Sequence, residues 1–293
     1  MRSIHTIKSG NSAKKDYYTQ DESLNQSQDP KTYYSTGEAK SKSATMTQAI
    51  WFGKDAERLN LNGHGLQSDF EQIFDGFIPG TQDRIRGEKP RDDHQENCIY
   101  DVVLTCKKSV SLQIHLGGDE QLYQAYQETV REIAELIERD YAQARIQSKG
   151  DRRIVQTEGI VALMIPHHTS RDQDMNVHTH LAIANGTYCE DGKWRSLLDR
   201  GFSHAYYMGD YFSIRMAARV QELGYAIRET ATETGHPSWE LAGYTDEQLK
   251  VFSKRSENRK VKDLVASGMS RDDALMQTRK AKTQAESLEE AQD

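Results

Sequence analysis

Residues 155–185 read VQTEGIVALMIPHHTSRDQDMNVHTHLAIAN, and their pattern decides the fold. Val155–Ile165 is rich in β-branched and aliphatic residues, which predicts a strand. A polar connection follows, and Val177–Asn185 reads as a second strand of the same kind. A connection this short cannot carry a crossover, so the two strands are expected to pair as an antiparallel hairpin.

Working outward, CIYDVVLTC (Cys98–Cys106) is another apolar, β-branched run and predicts a buried strand. After it, Leu122–Ala144 carries Tyr126, Val130, Ile133, Ala134 and Ile137 at helical spacing. Short helices are expected at Ala56–Leu61 and Ser68–Phe74, and a longer one from His204 that stops at Gly224. Ile4–Lys8, Tyr225–Arg228 and Trp239–Leu241 read as short extended pieces. Asn11 or Ser12 is placed to cap a helix bearing Asp16-Tyr17-Tyr18, while 19–32 and 84–97 are polar and read as loops. Residues 246–293 are charged and helical in pattern, and are expected to be peripheral. Helices and strands interspersed around an antiparallel centre predict an α+β fold, a central antiparallel sheet flanked by helices, rather than a doubly wound one.

Composition narrows the functional classes. The mean hydropathy is -0.82 and 28% of residues are charged, which describes a chain with an extensive polar surface. No stretch is long and apolar enough for a membrane span, and Met1-Arg2-Ser3-Ile4-His5 leads into no signal core. Cys98, Cys106 and Cys189 are far apart and form no Cys-x-x-Cys pair, so they are expected to be reduced, buried thiols of a cytoplasmic protein. The net charge of -7 is unlike a generic nucleic-acid binder, yet binding depends on local potential. Basic islands occur at Arg84/Arg86/Lys89/Arg91, Lys107/Lys108, Lys254/Arg255/Arg259/Lys260/Lys262 and Arg279/Lys280/Lys282.

Four of the ten histidines fall in the window Pro166–His180. Residues two apart on a strand face the same side, so His178 and His180 project together. The hairpin brings His167, at the end of the preceding strand, close to them, while His168 alternates away. Three imidazoles converging from adjacent strands make a metal site with open positions. Such ligands suit Zn, Mn, Fe, Ni or Cu and do not identify the ion.

With Tyr17-Tyr18, DVVLTCKKSVS (Asp101–Ser111), the histidine block and FSKRSE (Phe252–Glu257) in view, the chain resembles the conjugative relaxases of the TrwC/TraI type, the MobF class of the HUH endonuclease superfamily. The resemblance implies a relaxase catalytic domain over residues 1–245 and a C-terminal helical extension, 246–293, covering the DNA site. His167, His178 and His180 match the family's metal ligands, and a divalent ion, Mg, Mn or Zn, is implied. Tyr17 matches the nicking nucleophile and Tyr18 its neighbour. Tyr33 matches a later tyrosine linked to a second strand transfer. Asp101 matches the acidic residue beside the histidines, and Arg171 a basic residue of the same block. The implied partners are single-stranded DNA at an origin of transfer, often with a hairpin, and relaxosome accessory proteins. The implied state is a monomer in the bacterial cytoplasm. Met175-Asn176 and Thr105-Cys106-Lys107 depart from the family's usual residues, and the loop between the tyrosine pairs is longer here.

The chemistry explains the residue types. Cutting and resealing a phosphodiester without an energy source requires the bond energy to be kept, and a tyrosine attacking phosphorus keeps it in a phosphotyrosine ester. Tyrosine has a pKa of about 10 and needs help at neutral pH. Asp101 is expected either to orient a ligand histidine or to accept the tyrosine proton. Arg171, Lys108, Lys254, Arg255 and Arg279 are the candidate DNA contacts, since basic groups beside stacked aromatics are the usual way of holding a single strand. Two other enzyme readings remain at this stage. A rolling-circle replication initiator would use the same groups with a nucleophile after the histidines, at Tyr206-Tyr207 or Tyr211. A three-histidine metallohydrolase would act on small molecules and leave no DNA attached. A DNA-binding module without activity is the third alternative.

Overall fold

In the computed structural model of the protein, the described residues are 4–8, 45–86, 97–148, 151–169, 174–198, 205–231, 237–253 and 264–269. In chain order the elements are β1 (Ile4–Lys8), β2 (Thr45–Phe52), α1 (Lys54–Arg58), β3 (His64–Leu66), α2 (Gln67–Phe74) and β4 (Asn97–Thr105). They continue with α3 (Lys108–Gly117), α4 (Glu120–Tyr141), β5 (Gln143–Ser148), β6 (Asp151–Gln156), β7 (Ala162–Thr169) and β8 (Met175–Ala184). The last are β9 (Thr187–Tyr188), β10 (Trp194–Arg195), α5 (Ala205–Glu222), β11 (Ile227–Ala231), β12 (Pro237–Leu241) and α6 (Asp246–Val251).

The largest sheet has six strands in the order β1-β4-β8-β7-β2-β3. β1 pairs antiparallel with β4, and β2 with both β3 and β7. Asn185 N–H donates to Cys98 O at 2.8 Å, and Cys106 N–H donates to Val177 O at 3.0 Å, so β4 and β8 also run in opposite directions. The fold is α+β, with an antiparallel sheet and flanking helices, as the hairpin reading predicted.

The chain divides into two compact units. The first comprises Met1–Leu104, Gln127–His167 and Thr179–Arg215. Its core gathers Ala49 and Trp51 of β2, Phe70, Ile73 and Phe74 of α2, Cys98 and Ile99 of β4, Leu163 and Ile165 of β7, and Ala182 and Ala184 of β8. α2 buries Phe70, Ile73 and Phe74 at the i, i+3, i+4 spacing of one helical stripe, with the two phenyl rings edge to face at 5.9 Å. The second unit comprises Thr105–Tyr126, His168–His178 and Met216–Asp293. It contains α3, the β11–β12 hairpin and α6, whose N-cap Thr245 forms a capping box with Gln248.

Two sequence expectations need correction, and β2 was not anticipated. The run Val155–Ile165 is not one strand: β6 ends at Gln156 and β7 begins at Ala162. Between them the chain bends to meet α1. A Cβ at Gly159 would lie 2.6 Å from Asp55 N, and Ile160 O accepts from Ala56 N–H. Asp55 is fully buried and accepts from Thr187 Oγ1 at 3.1 Å and Tyr188 N–H at 2.8 Å, with Arg58 alongside. Burial nevertheless holds the Asp55 carboxyl above its ordinary range. The long helix stops at Tyr141 rather than Ala144, and Gln143–Ser148 forms β5. β2 carries no expectation from the sequence, although Ala49 and Trp51 alternate with exposed or half-buried neighbours.

Candidate metal centre

His167 lies on β7 in the alternating row that also places Leu163 and Ile165 in the core. Period two along the strand therefore carries it inward, where it is 3% exposed. His180 is equally enclosed on β8, and the two rings meet edge to face with centroids 5.1 Å apart. Asp101 comes from the middle of β4 and is 2% exposed. Its Oδ1 lies 2.8 Å from His180 Nδ1. A carboxylate can only accept, so the proton of the neutral ring sits on Nδ1 and the lone pair on Nε2.

His178 stands two residues before His180 on the same strand and is also buried. Its Nδ1 lies 2.9 Å from the backbone oxygen of Asn176, again an atom that only accepts. The Asn176 side-chain amide is 3.2 Å from the same nitrogen, and once the proton is on Nδ1 the amide is accommodated with its oxygen toward the ring. Both histidines of the His-x-His pair thus have Nδ1 beside an acceptor, the outer arrangement usual of imidazoles that bind a metal through Nε2. Among the described residues, no group of three or more His, Cys, Asp or Glu side chains is set to hold an ion as placed. What the structure assembles directly is His167, His180 and Asp101. The chemistry of the donor set fits a divalent cation.

His168 faces the other way, as alternation requires. Its ring is 5.3 Å from that of His115, and Tyr123 Oη lies 3.4 Å from its Nε2. Burial pushes the His115 imidazole below its ordinary range.

Of the candidate DNA contacts, Lys108 is described. Its Nζ donates to Met175 O at 2.9 Å, and burial lowers its pKa against the opposing pull of Asp174 and Glu240. Tyr17, Tyr18, Tyr33, Arg171, Lys254, Arg255 and Arg279 lie outside the described residues. Tyr211, the nucleophile of the rolling-circle alternative, donates to Glu132 Oε1 at 2.8 Å, which raises its pKa. Tyr207 is exposed and stacks on Tyr211. Cys98, Cys106 and Cys189 form no disulfide and are buried, and burial raises the Cys106 and Cys189 thiols.

Sequence reasoning missed a basic surface on the β5–β6 ribbon. Arg145 pairs with Ile154, Gln147 with Arg152 and Gln143 with Gln156, so these six side chains share one face. That face carries two guanidiniums, three amides and an exposed isoleucine, and no carboxylate. The opposite face buries Ala144 and Ile146 against Cys189, which anchors the ribbon. The signal was present as alternation of Arg and Gln with small apolar residues, but the helix was expected to run to Ala144 and residues 145–154 carried no expectation.

Comparison with known proteins gives concordant matches. The sequence family described as TrwC relaxase matches residues 11–293. The multifunctional conjugation protein TraI of Escherichia coli is 32% identical over 96% of this chain. The chain spans 15% of that relative's length. The conjugative relaxase TrwC in complex with oriT DNA, in a metal-bound structure, superposes with a TM-score of 0.80 at 28% identity, covering 97% of this chain and 92% of that one. TrwC complexed with a 27-mer DNA comprising the recognition hairpin and the cleavage site gives a TM-score of 0.74 at 31% identity, covering 84% and 88% of the two chains.

Proposed function

This chain belongs to the TrwC relaxase family, and on that footing we propose that it is a metal-dependent relaxase that nicks single-stranded DNA at an origin of transfer and rejoins it. The observation that carries the reading is the His-x-His pair with both Nδ1 atoms engaged, one by the buried Asp101 and the other by a peptide carbonyl. Metal-bound TrwC, similar to this chain over nearly its whole length, supports a divalent ion as cofactor. His167, His178 and His180 would hold it through Nε2, and period two along β8 places the last two on one side. When bound, a divalent ion stabilises the charge gathering on the non-bridging phosphate oxygens.

The remaining roles fall to side chains. Tyr17 Oη attacks phosphorus, a new O–P bond forms, and the bond to the 3′ oxygen breaks. The Tyr17 proton ends on the departing 3′ oxygen, so the upstream fragment leaves with a 3′ hydroxyl while the 5′ phosphate of the downstream fragment stays on the tyrosine. Tyr18 lies beside the nucleophile, and Tyr33 serves a second transfer. Asp101 acts by orienting His180, the role its 2.8 Å hydrogen bond supports. Religation is the same displacement reversed, with the 3′ hydroxyl as nucleophile, so no energy source is needed.

TrwC bound to a recognition hairpin supports hairpin DNA as the partner. The exposed face of the β5–β6 ribbon suits the duplex stem, because a two-stranded ribbon fits the major groove, and Arg and Gln read guanine and adenine edges there. Arg171, Lys254, Arg255 and Arg279 are assigned to the single strand, and the helical extension after residue 245 is assigned to covering it. Relaxosome accessory proteins would join the protein, a monomer, in the bacterial cytoplasm. Among the described residues no helix is long and apolar enough to cross a membrane.

The test incubates the protein with single-stranded oligonucleotides tiling a transfer origin, in Mn²⁺ or Mg²⁺, and resolves the mixture on denaturing gels. A protein–DNA adduct lost in Tyr17→Phe and in chelator is the expected result. An adduct that survives Tyr17→Phe moves the nucleophile to Tyr18 or Tyr33. No adduct on any oligonucleotide sinks the strand-transfer reading.

A further inference from the structure

We propose that Ser111 is a positioning residue for His178, acting through a single peptide plane; the inference rests on the metal-dependent reading above and assigns how one of its ligands is aimed. The N–H of Val177 donates to Ser111 Oγ at 3.0 Å. The C=O on the other side of that same peptide unit belongs to Asn176, and it accepts from His178 Nδ1 at 2.9 Å. No peptide bond among the described residues is cis, so this unit is a trans plane with its N–H and C=O pointing in opposite directions. A rotation of the plane moves both groups together. Ser111 therefore holds one end of a rigid plate whose other end fixes the tautomer and tilt of the His178 ring.

The plate's surroundings are arranged to keep Ser111 still. Val177 O accepts from Cys106 N–H at 3.0 Å, and Met175 O accepts from Lys108 Nζ at 2.9 Å, so the start of β8 is tied at Met175 and, on both sides of the residue, at Val177. α3, which supplies Lys108 and Ser111, is itself tied down at its first turn. The N–H and Oγ of Ser109 both donate to Glu240 Oε2, and Leu241 N–H donates to Ser109 Oγ. Ser109 and Ser111 are both fully buried. β4 ends at Thr105, just before the residue opposite Val177, so the Val177 N–H is taken by a side chain instead of a strand backbone. Satisfying that buried N–H would be a structural role alone. The link to the His178 ring through Asn176 O makes the contact a determinant of ligand geometry.

The experiment compares the wild-type chain with Ser111→Ala and Ser111→Cys, the second of which keeps a heteroatom at the γ position but makes it a weaker acceptor. In chelator and at mildly alkaline pH, ¹⁵N–¹H correlation spectra report which ring nitrogen of His178 carries the proton. The wild type is expected to show one tautomer, protonated at Nδ1, and the variants a mixture. In calorimetric titration with Mn²⁺ the variants should bind about tenfold more weakly, the scale of lost outer-sphere support, and Ser111→Thr should restore both readouts. An unchanged His178 tautomer in Ser111→Cys overturns the proposal, as does a wild-type ring protonated at Nε2. A tautomer shift in a protein whose wild type binds no Mn²⁺ leaves the positioning role standing and sinks the metal reading instead.

Discussion

His180 Nδ1 and Asp101 Oδ1 are 2.8 Å apart, joined across neighbouring strands from residues 79 positions apart in the chain, and both side chains are almost wholly buried. The carboxylate fixes which nitrogen of His180 is available, and the enclosure keeps water from competing for the bond. Asp101 is hydrogen-bonded to the ring itself, the contact expected of a residue that orients it.

Asp101→Asn should therefore weaken Mn²⁺ binding by about ten- to a hundredfold, the range seen when a partner behind a metal-bound histidine is replaced. Calorimetric titration of variant and wild type reads this directly. Wild-type affinity combined with lost DNA cleavage would instead make Asp101 the proton acceptor.

The ribbon prediction concerns DNA affinity and its salt dependence. Arg145→Ala and Arg152→Ala should each weaken binding of a hairpin oligonucleotide and lower the slope of log K against log salt by about one if the lost contact is to phosphate. Binding to an unstructured strand lacking the hairpin should change much less. Fluorescence anisotropy at several salt concentrations checks both, and equal losses on the two oligonucleotides would exclude a duplex-reading role.

His115 predicts an acid-side loss of stability. Burial lowers its folded pKa below the unfolded value of 6.5. Between those two values the unfolded chain holds a proton that the folded one does not, so stability rises with pH in that window. The contribution is fully present above the unfolded pKa and falls away as pH drops toward the folded one. His115→Gln should flatten the fall in melting temperature between neutral pH and about pH 5. A variant whose melting temperature tracks the wild type across that range would show that other groups set the acid limit.

Gly159→Ala tests why the long apolar run breaks. The added Cβ would meet Asp55 N at 2.6 Å and Asp55 Cγ at 2.9 Å, atoms held by the buried Asp55 network. Overpacking there should cost about 1–3 kcal/mol, read as a lower denaturation midpoint at unchanged slope. A neutral substitution would mean that the start of α1 gives way freely.

The sequence alone determined the periodic features. Period two placed His178 and His180 together and turned His168 away from His167, and the short polar connection made the hairpin antiparallel. Helical spacing located the long α4 and the α5 stop at Gly224, because these signals are local and one face of each element must be buried. The motif Asp101–Ser111 was legible as a family signature, but not what its serines and lysines touch.

Only the tertiary structure decided which distant groups meet. It paired Asp101 with His180, set Ser111 under the peptide before His178, bound Lys108 to Met175, and bent the chain at Gly159 to receive Asp55. It also made a separate basic ribbon of residues most of which carried no expectation from the sequence. The physical reason is common to all of these. Hydrogen-bond partners for buried polar groups come from whichever element packing brings near, and that choice carries no periodicity in the chain.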